Sequence, residues 1–218
     1  MRPVLILFAK APIPGRVKTR LARTIGPELA AKLHSAFVED TLQKTLSLAG
    51  KTGIDIELHT DAETDAWSSI RVTRRLQVSG DLGCRMYYVL DNALKEGRPQ
   101  AMIIGSDSPT LPTSHLLNLL QLPEDVALGP TEDGGYYAIA CRRTNSEMFR
   151  SVNWSTEQAL EDTETACRRS GLTTGCGPPW FDVDEYEDLR RMFGQLRLPP
   201  ATEALRDLLG SGIGDMIP

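Results

Sequence analysis

Two continuous apolar runs stand out, Val4–Ala9 (VLILFA) and 101–105 (AMIIG), in a chain whose other hydrophobic residues recur at helical or alternating spacing. Runs of this kind suit strands buried on both faces of a sheet. Between them, Gly26-Pro27 opens a long helix, with proline at an early position where its missing N–H costs least. Leu29, Leu33 and Phe37 form one i,i+4 row and Val38, Leu42 and Leu46 a neighbouring one, which together make a broad core-facing stripe. After Gly53, residues 54–58 alternate as a second strand; a helix near 62–70, a short strand near 75–78 and a helix over 84–95 follow. The second half predicts a helix over 113–120, a strand over 125–128, a loop over 131–135, a strand over 136–140 and a helix over 156–169. A last strand is expected at 180–183, with Asp184 capping a helix over 185–193, and the tail beyond Pro199-Pro200 is expected to hold a short helix. Strands that alternate with helices favour a mostly parallel sheet covered on both faces. In such sheets ligands bind beyond the carboxyl ends of the strands, which directs attention to the loops that follow them.

Composition narrows the class. The chain has 218 residues, 41% hydrophobic and 24% charged, enough for one α/β domain over 1–218 with a sizeable core. A formal net charge of -5 argues against nucleic acid as the main partner but is compatible with a mononucleotide, which needs only a local group of cations. The 4 cysteines fall in no C-x-x-C pair and no histidine stands at a zinc-like offset from them, as in a reducing compartment. The first apolar run is too short for a signal-peptide core or a membrane span, so a cytoplasmic protein with no membrane span is expected.

Candidate chemistry gathers in the post-strand loops. In the first, Ala9-Lys10-Ala11-Pro12-Ile13-Pro14-Gly15-Arg16-Val17-Lys18-Thr19-Arg20, four cations crowd a proline-stiffened segment in which Gly15 permits close approach or positive φ. Such a loop suits a di- or triphosphate. It is not a P-loop, since the lysine is not adjacent to the glycine and the earlier glycine is missing. The second, Gly105-Ser106-Asp107-Ser108-Pro109, either directs a carboxylate into a cleft, where a hard cation such as magnesium or manganese would bind, or uses Asp107 to cap a turn. In Thr131-Glu132-Asp133-Gly134-Gly135-Tyr136 the glycines would let a ligand approach and Tyr136 could cover it, while hairpin chemistry alone would also explain the pattern. Asp182 and Asp184 would share a face by strand alternation, and Asp81, flanked by Gly80 and Gly83, either caps a helix or contacts a nucleoside. His34, His59 and His115 offer no triad and are expected at the surface.

Taken in order, the segments FAKAPIPGRVKTRLA, GDLGCRM, GSDSPTLP, GPTEDGGYYAIA and DVDEYEDL resemble the bacterial DUF2064 family of glycosyltransferase-like proteins. The resemblance implies an α/β, three-layer α/β/α GT-A fold of the nucleotide-diphospho-sugar transferase superfamily, similar to the molybdenum-cofactor and 2-phospho-lactate guanylyltransferases. It implies that Ala9, Lys10, Gly15, Arg16, Lys18 and Arg20 wrap nucleotide phosphates, with Asp81 and Gly83 near the nucleoside. It further implies that Asp107 and Asp184, with Asp182 as competitor for the latter, hold Mg²⁺ or Mn²⁺, and that Asp133, Gly134, Gly135 and Tyr136 face the acceptor or sugar. Lys18, Asp107 and Asp133 are the implied catalytic residues. The Gly-Gly and Arg-Met of related first loops are replaced here, which leaves the base open. Nucleotidyl transfer from an NTP to a small phosphorylated acceptor is the expected reaction, favoured by the cation density of the first loop. Glycosyl transfer from an NDP-sugar and a non-catalytic nucleotide binder are the alternatives, and a homodimer is compatible with any of them.

Overall fold

The computed structural model describes residues 1–195, so the expected tail helix lies outside the described residues. Seven strands were anticipated, and the sheet of the described residues has seven, six of them expected, in the order β3-β2-β1-β4-β6-β5-β7. They are β1 (Val4–Ala9), β2 (Asp55–Thr60), β3 (Thr73–Leu76), β4 (Ala101–Ile104), β5 (Val126–Pro130), β6 (Tyr136–Cys141) and β7 (Thr174–Cys176). The two apolar runs lie side by side: β1 pairs in parallel with β2 on one edge and β4 on the other. Only β6 runs against its neighbours, antiparallel to both β4 and β5, so the sheet is mostly parallel as expected.

Alternation along β1 explains why its whole run is apolar. Val4, Ile6 and Phe8 pack into one core with α3 (Leu82–Lys95) and α5 (Ala159–Arg169). Leu5, Leu7 and Ala9 pack into the other with α2 (Pro27–Thr52) and α4 (Thr113–Gln121). Every position therefore meets a helix layer, and none can be polar without an unpaired buried group. A third cluster joins Leu21 of α1 (Thr19–Ile25), Leu33 and Phe37 of α2, Phe181, Val183, and Leu189 of α6 (Tyr186–Gln195). It fixes the first loop and the 181–184 segment against the same helix.

Several expectations are corrected. Residues 62–70 form turns rather than a helix: Arg74 takes the carbonyls of Thr64 and Ala66, and Trp67 is left-handed at φ 60 with its indole N–H on Ser35 O. β3 begins two residues before the expected 75, and α5 begins at Ala159 rather than 156. The helix α1 and the strand β7 were not anticipated. The strand expected at 180–183 reduces to one bridge, Thr131 with Trp180, because Val183 donates its N–H instead to Asp107 O in the β4 loop. Two histidines expected at the surface are buried: His34 at 4% and His59 at 4% exposure. His59 sits between Glu57, whose Oε2 is 2.9 Å from its Nε2, and the stacked ring of Phe8.

Candidate functional site

The carboxyl ends of β1 and β4 and the start of the antiparallel β6 open onto one cleft of about 950 Å³. Of the residues expected at a site, Ala9, Lys10, Lys18, Arg20, Asp107, Asp133, Gly135, Tyr136 and Asp184 all line it. Segments more than 170 residues apart in sequence, from Ala9 to Asp184, thus meet at one place.

Lys18 is the hinge of the arrangement. It occupies the cap position before α1 in a left-handed conformation, φ 46 and ψ 45, an unusual backbone for a side chain with a Cβ. That turn sends its side chain inward, where only 2% remains exposed, and its ammonium binds Asp107, Asp184 Oδ1 at 2.9 Å and Val183 O at 2.8 Å. Burial works against the charged amine, but Asp107 and Asp184 hold the Lys18 pKa above the ordinary lysine value. Enclosure likewise opposes the Asp107 carboxylate, and the adjacent Lys18 ammonium keeps its pKa below the ordinary range. Asp184 was expected to cap α6. Its carboxylate is drawn to the ammonium instead, a stronger charge-assisted bond, and Asp188 reaches back to accept from the N–H groups of Asp184 and Glu185. Asp182 shares the neighbourhood, accepting from the Ser108 hydroxyl. Burial first, and then repulsion from Asp107 and Asp184, push its pKa up to about 7.

Other expected residues are placed elsewhere. Gly15 has the positive φ that its loop requires, 77°, but neither it nor Arg16 lines the cleft. Asp81 caps α3, its Oδ1 accepting from Cys84 N at 2.8 Å. Gly83 is a packing position: a Cβ there would lie 3.0 Å from Phe149 and from Trp154. At Gly134, φ is 85 and a Cβ would stand 2.1 Å from Glu157 O, so its bareness accommodates this chain's own backbone. The Asp133 carboxylate is anchored through Oδ1 by Thr131 Oγ1 at 2.6 Å and Gly135 N at 3.2 Å.

Sequence reasoning missed five contributors to the cleft: four single residues and one segment. His34 donates from Nε2 to Lys10 O at 2.9 Å, and burial lowers its pKa, so the neutral ring braces the first loop. The signal was present, since His34 stands four residues before Val38 in the same buried row. Asp61 accepts the Ala11 N–H at 2.7 Å and stiffens the same loop from β2. Gln77 and Arg85 hold each other and the backbone of His59 and Gly80. The segment 154–158 ahead of α5 forms a whole wall, and nothing in its composition marked it.

A divalent cation fits part of this geometry. Among the described residues no three His, Cys, Asp or Glu side chains converge as a ready cage. Asp107 and Asp184 nevertheless aim one oxygen each at the same position, now taken by the Lys18 ammonium. Magnesium typically uses one or two carboxylates and completes its shell with water and substrate phosphates. The charge balance points the same way. The lining carries Lys10, Lys18, Arg20 and Arg85 against Asp61, Asp107, Asp133, Glu157, Asp182 and Asp184. A polyphosphate entering such a cleft needs added positive charge.

Residues 29–156 match the family model DUF2064, described as an uncharacterized protein conserved in bacteria. No curated protein matches the chain. Among solved structures, a protein from Desulfovibrio desulfuricans G20, provisionally described as a nucleotide-diphospho-sugar transferase, shares 28% identity at a TM-score of 0.83, covering 97% of this chain and 95% of that one. A CMP:2-keto-3-deoxy-manno-octonic acid synthetase in complex with CTP (12% identity, TM-score 0.54, 90% and 99% covered) has the same fold. So does an inositol-1-phosphate CTP transferase from T. maritima (12%, 0.52, 96% and 95%). Among the described residues no helix is long and apolar enough to cross a membrane.

Proposed function

The chain belongs to the DUF2064 family, and from that premise we propose that it is a metal-dependent transferase acting on a nucleotide-activated donor, with nucleotidyl transfer from an NTP as the first reading. The observation that carries it is the convergence of Asp107 and Asp184 on one cation position beside the cationic first loop. The transferase folds of the structural neighbours, two of them named for CMP or CTP chemistry, support the reaction class. Lys10 and Arg20 line the cleft and meet the donor's phosphates, with the Lys10 backbone braced by His34. Mg²⁺ or Mn²⁺ held by Asp107 and Asp184 would neutralise charge that develops on those phosphates. Lys18 holds the two carboxylates together and offsets their repulsion until the donor and its cation arrive, and then turns its ammonium toward the phosphates. Asp133, with Oδ2 outside the contacts that anchor Oδ1, is the candidate to accept the acceptor's proton.

Glycosyl transfer from an NDP-sugar is the second reading, favoured by one observation. Of the first loop's four cations only Lys10, Lys18 and Arg20 line the cleft, and Lys18 is already paired, so the loop is less suited to a triphosphate than its sequence suggests.

A thermal-melt panel of NTPs and NDP-sugars, each with and without Mg²⁺ or Mn²⁺, tests both. A ligand at a hundred times its Kd stabilises by about 2.7 kcal/mol. Metal-dependent stabilisation by an NTP that Asp107→Asn abolishes is the expected result. A response confined to NDP-sugars selects glycosyl transfer, and a folded protein that responds to neither overturns the proposal.

A further inference from the structure

The cleft is polarised along the sheet. The order β3-β2-β1-β4-β6-β5-β7 puts the cationic β1 loop, Gln77 and Arg85 on one side of Asp107. The other side, beyond β4, is built from Asp133, Gly135, Tyr136 and the 154–158 segment that leads into α5. That segment reads Trp-Ser-Thr-Glu-Gln, and together with residues 133–136 it contributes two carboxylates and no lysine or arginine.

This wall is held by packing within the chain. Trp154 is wedged between Tyr136, at 6.5 Å and 73°, and Phe149, at 5.8 Å and 57°. The bare Cα of Gly83 lets α3 close against its ring, and that of Gly134 lets the Glu157 backbone close against the β5–β6 turn, where Leu160 N donates to Gly134 O at 3.0 Å. Two polar groups of this wall are unspent, while Thr156 Oγ1, Asp133 Oδ1 and the Tyr136 hydroxyl have partners within the protein. Among the described residues the Trp154 indole N–H and the Glu157 carboxylate make no hydrogen bond, whereas the indoles of Trp67 and Trp180 are both satisfied by the protein. A tryptophan that keeps its ring packed and its N–H free is suited to a ligand with an apolar face and a hydrogen-bonding rim. Carboxylates accept from hydroxyls and repel phosphates.

We propose that this end of the cleft binds an unphosphorylated, hydroxyl-rich acceptor, a sugar or polyol whose C–H face rests on Trp154 and whose hydroxyls donate to Asp133 and Glu157. The proposal rests on the donor reading above for the assignment of the opposite, cationic end to phosphates, and it replaces the phosphorylated acceptor expected from the sequence. Selectivity against sugar phosphates comes from the repulsive element as much as from the attractive one.

The test follows the Trp154 indole N–H resonance of isotope-labelled protein, identified by its loss in Trp154→Phe. The probes are glucose, mannose, ribose and inositol, each paired with its monophosphate. At least one neutral compound is expected to shift that resonance saturably, and its monophosphate to bind about tenfold more weakly, a difference of about 1.4 kcal/mol. Glu157→Lys, at an exposed position, should reverse the preference. Equal or tighter binding of the monophosphates to the wild-type protein, or no response of Trp154 to any neutral compound, overturns the proposal. Failure of the donor reading registers separately, as a melting temperature indifferent to Mg²⁺ and nucleotide while the sugar titration still moves Trp154.

Discussion

Replacing Lys18 by methionine tests whether the buried ammonium and a divalent cation compete for the same oxygens. The methionine keeps most of the volume of the stem and removes the charge that Asp107 and Asp184 share. Removing one member of a buried pair costs about 3–5 kcal/mol when the other is stranded. Here the carboxylates are 47% and 44% exposed and can rehydrate, which about halves the loss, to roughly 2 kcal/mol. For a chain of this size that lowers the melting temperature by about 4–8 °C. The second arm adds millimolar Mg²⁺ without nucleotide. In the wild type the ammonium already fills the position, so the ion should stabilise little; in Lys18→Met two unpaired carboxylates face it, and much of the lost stability should return. Thermal unfolding with and without the ion reads both effects. A variant that melts within about 1 °C of the wild type, or Mg²⁺ that stabilises both proteins equally, would refute the idea of one shared cation position.

Gly134→Ala would set a Cβ 2.1 Å from Glu157 O at a φ of 85, and should cost about 3 kcal/mol or more in denaturant unfolding while moving the 154–158 wall. His34→Ala removes the brace on Lys10 O and should weaken nucleotide binding about fivefold to tenfold by calorimetry, with metal dependence retained. Asp40 is buried, its Oδ1 has no partner, and burial pushes its pKa up to about 7. Because the folded value lies above the unfolded one, its contribution to stability is complete below about pH 4 and is lost as pH rises through about 7. The stability of Asp40→Asn relative to the wild type should therefore rise from acid to neutral pH, and parallel profiles would refute the assignment.

How much of this was legible depended on whether a residue's role is local. The runs 4–9 and 101–105 declared β1 and β4 because a strand flanked by two helix layers has no polar position to spare. Their loops were found by the same logic, and Lys18 and Asp107 do meet. What could not be read was set by distant partners. Whether residues 62–70 coil into a helix depended on Arg74 claiming two of their carbonyls, and propensity carries no such information. Asp184 has the spacing of a helix cap, but Lys18, 166 residues earlier in the sequence, offers a charged donor that a backbone N–H cannot match. Gly134 was expected to let a ligand approach, and the group that stands against it is the backbone of Glu157. The 154–158 wall was invisible because nothing in the order Trp-Ser-Thr-Glu-Gln tells that the fold sets it across from the cationic first loop.

The charges of the cleft make a case for the cation that no single residue makes. If the first loop worked alone, its cations would attract a polyphosphate and the nearby carboxylates would be a defect. Yet Asp107 and Asp184 are fixed in place, Asp107 through its own backbone carbonyl to Val183 N at 2.8 Å and both through Lys18, so the structure keeps negative charge at the centre deliberately confined. Confined carboxylates repel one another, and that repulsion adds to burial, the larger cause, in pushing the Asp182 pKa up to about 7. Lys18 relieves the repulsion with a single charge. A divalent ion arriving with the donor would relieve it with two and free the ammonium for the phosphates, so donor and ion should bind with positive coupling, each raising the affinity of the other by the same factor. Isothermal titration of nucleotide at several Mg²⁺ concentrations, and of Mg²⁺ at several nucleotide concentrations, measures that factor twice. In Asp184→Asn the repulsion and the second ligand are both reduced, so the coupling should shrink toward the value that the free Mg–nucleotide complex alone provides. A factor unchanged in that variant would mean that the ion rides in with the nucleotide and never meets these carboxylates.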